Sequence, residues 1–75
     1  SIFHDAVVSV DYAGNIVVVR CLPGMAQAAC ASLDAMHWNG IVGSLAGEDT
    51  FLCITRDENG AIDLVTELKK LLKNG

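Results

Sequence analysis

Ile41-Val42-Gly43-Ser44-Leu45-Ala46-Gly47-Glu48-Asp49-Thr50-Phe51-Leu52-Cys53-Ile54 is the stretch that decides the fold. An apolar run leads in, a second leads out, and between them lies an acidic doublet framed by Gly47 and Thr50. That pattern reads as a hairpin of two strands, Ile41–Ala46 and Thr50–Arg56, with Glu48 and Asp49 at its tip. Gly47 can take a positive φ and lets a ligand approach the backbone closely. The nearest basic residues in sequence are Arg56 and Arg20. Two adjacent carboxylates without a local partner are either dissolved in water or placed to meet a cation.

Upstream, Ala6 to Tyr12 alternates, with Val8, Val10 and Tyr12 on one face and Val7, Ser9 and Asp11 on the other, as in a half-buried strand. Ala13-Gly14-Asn15 is turn chemistry. Ile16-Val17-Val18-Val19 is apolar on both faces, which suits a central strand covered on both sides. Pro23 stops that strand, and its fixed φ suits a helix start. A first helix is expected over 24–37, packing on the sheet through Met25, Ala29, Leu33 and Met36, with small residues such as Ala28 and Ala31 for close packing elsewhere. His37 and Trp38 fall in the helix-to-strand connection.

Downstream, Asp57-Glu58-Asn59-Gly60 is rich in helix N-cap residues. A second helix is expected over 61–73, with an apolar stripe of Ile62, Leu64, Val65, Leu68, Leu71 and Leu72. The element order is β-β-α-β-β-α. It implies an α+β fold: a four-stranded, mainly antiparallel sheet with two helices on one face.

Seventy-five residues make one domain, spanning 1–75. Domains this small bury only ~60–65% of their unfolded surface. Yet 52% of the residues are hydrophobic, above the usual ~45–50%. Self-association is the simplest outlet for such a surface. The net charge is −4. Lys69, Lys70 and Lys73 sit in the last turns of the second helix, where they complement its dipole. No clustered basic face offers itself to phosphates, so the domain alone is not expected to bind DNA. Cys21, Cys30 and Cys53 lie among apolar residues without a C-x-x-C spacing and read as buried thiols. His4 and His37 are too far apart in sequence for a local metal pair. No signal peptide and no membrane-length apolar run is present, so a cytoplasmic setting is expected. The chain opens at Ser1, and a strand-like pattern begins almost at once, which suggests a domain excised from a longer protein.

Two motifs carry a resemblance. Pro23-Gly24-Met25-Ala26-Gln27 precedes a helical stretch ending Ser32-Leu33-Asp34, and Gly43-Ser44-Leu45-Ala46-Gly47-Glu48-Asp49-Thr50 follows Trp38. In order and spacing these resemble the C-terminal domain of bacterial arginine repressors, over essentially the whole chain from Val7 to Leu72. The resemblance implies an effector-binding, oligomerising module whose N-terminal winged helix-turn-helix domain is absent from this chain. In that family six such domains form two stacked trimers with L-arginine between them. Arginine acts there as effector, without any other cofactor, and operator DNA is read only through the N-terminal domain.

The resemblance also implies a site. The arginine contacts fall on Gln27, Asp34, Glu48 and Asp49, with backbone groups of Ser44 and Ala46 adding hydrogen bonds. The chemistry agrees: a guanidinium takes carboxylates, an α-ammonium takes a further acid, and an α-carboxylate takes amide donors. One departure stands out. The family usually shows Asp-Asp where this chain has Glu48-Asp49, so the first carboxylate moves out by about 1.3–1.5 Å and gains a rotor. Plainer readings remain open for each residue: Asp34 as a solvated helix end, Gln27 as an outward side chain, Asp49 as a cap of its own turn. Two other function classes compete. A small α+β enzyme would demand a histidine cluster or an activated nucleophile, which the sequence does not supply. An amino-acid-sensing domain with a different ligand would share the fold without stacking as trimers.

Overall fold

The computed structural model describes residues 1–74. Gly75, the last residue of the expected 1–75 domain, lies outside them. The chain runs through α1 (Ile2–Ala6), β1 (Val7–Ala13), β2 (Ile16–Cys21), α2 (Ala26–Asp34), β3 (Ile41–Ala46), β4 (Thr50–Thr55) and α3 (Glu58–Asn74). The strands form one antiparallel sheet in the order β1-β2-β4-β3. This is the α+β fold expected, with a short helix added in front.

That first helix went unread because five residues are too few to show a period. Ser1 caps it, its Oγ accepting the His4 N–H at 3.3 Å. Its Phe3 and Ala6 are buried in the core, and α1 packs against α2. Pro23 does not start the second helix. Leu22-Pro23-Gly24-Met25 is a turn closed by Met25 N–H to Leu22 O at 3.0 Å, with Gly24 at φ +77°. Proline at the second place and a positive-φ glycine at the third define a type II turn, so the helix waits until Ala26. Gly14, at φ +58°, turns β1 into β2 through a two-residue loop. Gly47, by contrast, has no positive φ.

Helices α2 and α3 cover one face of the sheet. The core joins Val10, Val17, Val19, Cys21, Phe51 and Cys53 to Ala26, Ala29, Cys30 and Leu33 of α2 and to Ala61, Leu64, Val65 and Leu68 of α3. Of the small residues of α2, Ala26, Ala29 and Cys30 face its own sheet and let the helix sit close, while Ala28 and Ala31 are exposed on the outer side. Met36 and Ile62, expected in the packed stripes, are 44% and 38% exposed. Asp57 caps α3, its Oδ1 accepting the Gly60 N–H at 2.8 Å.

Each edge strand carries a bulge, between Val7 and Ser9 and between Ile41 and Gly43. A bulge adds one residue and so reverses the alternation beyond it. In β1, Val7 pairs with Cys21 on the core side and Val8 is left 63% exposed, opposite to the simple alternation. In β3 the bulge lets Ile41, Ser44 and Ala46 all turn toward the helices. The second face of the sheet carries Ile16, Val18, Leu45, Leu52 and Ile54 and has no helix over it. The expectation that β2 is covered on both sides is therefore met on one side only within a single chain.

Candidate functional site

The site is built where α2 meets the β3–β4 tip. Helix α2 begins at Ala26 with Met25 as N-cap and no side-chain cap. Its first amides therefore need acceptors from elsewhere. The tip supplies one: Ala26 N–H donates to the Glu48 carbonyl at 3.2 Å. Beside it, Cys21 N–H at the end of β2 donates to the Asp49 carbonyl at 2.6 Å. Gly47 N–H closes the turn on Thr50 O at 2.9 Å. These bonds fix the backbone of both acidic residues against β2 and the start of α2, where Gln27 follows Ala26.

Asp34 ends the same helix. Gln27 and Asp34 are separated by nearly two turns, about 10 Å along the axis, and lie on nearly the same helical face. The Asp34 carboxylate is held from the sheet: Ser44 Oγ lies 2.9 Å from Oδ1 and 3.1 Å from Oδ2. Asp49 Oδ1 accepts the Thr50 hydroxyl at 3.0 Å. Gln27, Asp34, Glu48 and Asp49 are exposed, and Ser44 and Ala46 are half-buried on the edge strand. Backbone groups of an edge strand that point away from the ladder stay free for a ligand or another chain. Among the described residues the ion pairs involve Asp5 and Glu67, and none engages Asp34, Glu48 or Asp49. Pairing of β2 with β4 sets Arg20 opposite Thr50, with its side chain on the face of the sheet away from the helices, near Ser9 and Asp11.

Buried thiols floor this region. Cys21, Cys30 and Cys53 are all unpaired and buried. Burial pushes the Cys53 thiol up to about 12, with Cys30 and the Asp34 carboxylate adding to the shift. Burial likewise raises Cys30, against a lowering contact with Ser44. It raises Cys21 too, where Cys30 and Asp49 reinforce the shift. A thiol held neutral in this way is a poor nucleophile. Among the described residues no group of three His, Cys, Asp or Glu side chains is placed to hold a metal ion.

A cavity of about 340 Å³ opens beside Asp34 and Ser44, with His37 and Trp38 on its wall, and does not reach Gln27, Glu48 or Asp49. Within one chain five of the six expected residues therefore form two neighbouring groups, Asp34 with Ser44 and Gln27 with Glu48 and Asp49, and Ala46 stands at the end of β3 just before the tip. They make an open acidic strip and not a closed pocket. Two features of it had no signal in the sequence. The Ser44–Asp34 contact depends on the β3 bulge, and the cavity depends on His37, whose φ of 55° bends the chain after α2. Chemically, three exposed carboxylates with a hydroxyl and an amide suit a ligand that carries several N–H donors.

Fold and site together define a class: small α+β domains that back an antiparallel sheet with helices and carry an open acidic strip on an edge hairpin. Residues 3–70 match the family described as Arginine repressor, C-terminal domain, and the chain belongs to that family. It is 50% identical over 74 residues to an arginine repressor of Acetivibrio thermocellus, covering 99% of this chain and 48% of that protein. It is 46% identical over 74 residues to one of Lachnospira eligens, covering 99% of this chain and 49% of that protein. The chain thus spans about half the length of the curated relatives it matches. The family is that of the arginine repressor, a transcriptional regulator rather than an enzyme. No described helix is long and apolar enough to cross a membrane.

Proposed function

We propose that this domain binds L-arginine and assembles into two stacked trimers with arginine between them, in an arginine-responsive regulator of arginine metabolism. The observation that carries this reading is the anchoring of the acidic tip to β2 and the start of α2. Ala26 N–H of α2 holds the Glu48 carbonyl and Cys21 N–H of β2 holds the Asp49 carbonyl, and the side chains of Gln27, Glu48 and Asp49 are open to solvent. An arginine laid on this strip meets carboxylates with its guanidinium, and Asp34, held by Ser44, waits for its α-ammonium. An open strip needs a lid, and a second copy of the domain supplies one. The uncovered sheet face, with Leu45 at 74% exposure, gives apolar surface for self-association as well.

The remaining half of the relatives' length is where we place the DNA-binding domain, acting in the cytoplasm. Anything that binds only the assembled form stabilises it by RT ln(1 + [L]/Kd) per site. Operator affinity then rises with arginine through the same coupling. Sedimentation across an arginine titration tests the reading. A trimer or larger is expected without arginine and a hexamer with it. A single monomeric species at micromolar protein, unchanged by millimolar arginine, overturns it.

A further inference from the structure

A second cavity, of about 220 Å³, lies between the start of β3 and the first half of α3. Trp38, Ile41 and Leu64 form its apolar wall, and Asp63 and Glu67, one turn apart on α3, form its acidic rim. Among the described residues no Lys or Arg lines it. Gly40 and Gly60 add no side chain to its mouth. The space equals about seven water molecules, enough for a short alkyl chain with a charged head. Trp38 is also the wall shared with the cavity beside Asp34 and Ser44. Its Nε1 is buried without a hydrogen-bond partner, so no polar contact locks the indole in place.

An aromatic wall with two carboxylates at the mouth is complementary to one kind of ligand. The stem of an organic cation packs on Trp38, Ile41 and Leu64, and its head meets the indole face and the carboxylates at once. Tryptophan is the strongest of the aromatic cation acceptors. Among the described residues the competitor in place is Lys70, whose Nζ lies 3.2 Å from Glu67 Oε1. Both partners of that pair are exposed, so the contact is weak and readily exchanged. We infer that this pocket is a second ligand site of the domain, for a small alkylguanidinium or alkylammonium cation. It does not depend on the acidic tip, and filling it fixes the indole that borders the Asp34–Ser44 cavity.

Trp38 is the chain's one tryptophan, so its fluorescence reports on the pocket directly. Titration with butylguanidinium chloride at constant ionic strength is expected to give a saturable emission change. Asp63→Asn with Glu67→Gln should weaken it at least about tenfold, since about tenfold is the size of one lost charge-assisted contact and the pair removes two carboxylates. Both residues are exposed, and an unchanged far-UV circular dichroism spectrum verifies the fold. Lys70→Ala, which frees Glu67, should strengthen the response. Asp49→Asn, which strikes the acidic tip, should leave it intact and so separates this pocket from the arginine site proposed above. Four results overturn the inference. One is no saturable change. Another is an equal response in the Asp63/Glu67 variant. A third is an equal response to neutral 1-butanol, which marks an apolar crevice only. The last is a response that disappears as protein concentration rises, which marks a pocket filled by another copy's basic side chain.

Discussion

Glu48 and Asp49 carry the same charge on arms of different length, from a backbone that two hydrogen bonds hold still. Motion at the tip therefore belongs to the side chains, and a change of one methylene cannot be absorbed by the turn. Shortening Glu48 to Asp is expected to shift arginine affinity by about 0.5–2 kcal/mol, because bidentate pairing tolerates little displacement. Glu48→Gln should be worse than either, since it leaves the guanidinium underpaired. Asp49→Asn should weaken binding at least tenfold, while Asp5→Asn, in α1 and distant from the tip in sequence, should change it little. Calorimetry decides. If both Glu48 variants match the parent, Glu48 is only a solvated tip, and equal affinities for Asp49→Asn and Asp5→Asn remove Asp49 from the site.

Cys53 sets a pH limit at the same scale. Its folded value of about 12 stands above the ordinary 9.0. Between these two values the folded chain holds a proton that the unfolded chain has released. Stability therefore falls as pH rises through that window and is complete below it. Urea midpoints should drop from pH 8 to pH 10.5, and Cys53→Ala should flatten the slope, whatever constant offset its lost volume adds. A parent slope no steeper than the variant's refutes this.

At the scale of elements, the connection from α2 to β3 holds a backbone conformation that L-residues rarely adopt. Helix α2 ends through His37 at φ 55°, a region glycine enters freely and a residue with a Cβ does not. Holding an L-residue there costs about 1–2 kcal/mol, while glycine's extra unfolded entropy costs about 0.5–1. The difference favours His37→Gly by about 0.5–1 kcal/mol, or several degrees in Tm for a domain of this size. Thermal unfolding at one fixed protein concentration checks it, since assembly makes Tm depend on concentration. A lowered Tm shows that the imidazole itself is holding the connection.

For the molecule as a whole, charge and exposed apolar surface point to different partners. The net charge is −4, and Lys70, one of five basic residues, is already engaged with Glu67. Without a basic face there is no counterion release to drive phosphate binding. The domain by itself should leave arbitrary duplex DNA unshifted in a gel at low ionic strength, and salt-sensitive retention would contradict this. The uncovered sheet face, in contrast, offers Ile16, Val18, Leu52 and Ile54 to another protein surface.

The sequence by itself determined the strands, the two long helices and their order, because each rests on a local period or on a turn residue such as Gly14 or Asp57. It also determined the family, through two motifs separated by a fixed distance. Tertiary structure decided what depends on register. The bulge near Val8 put Val7 and not Val8 in the core, and the bulge near Val42 brought Ser44 onto Asp34. Pairing of β2 with β4 set Arg20 opposite Thr50, on the face away from the helices. Contacts of this kind form between residues far apart in the chain, so no local pattern encodes them. The same holds for Ala26 and Glu48, where an uncapped helix found its acceptor on a hairpin twenty-odd residues away and thereby set the geometry of the site.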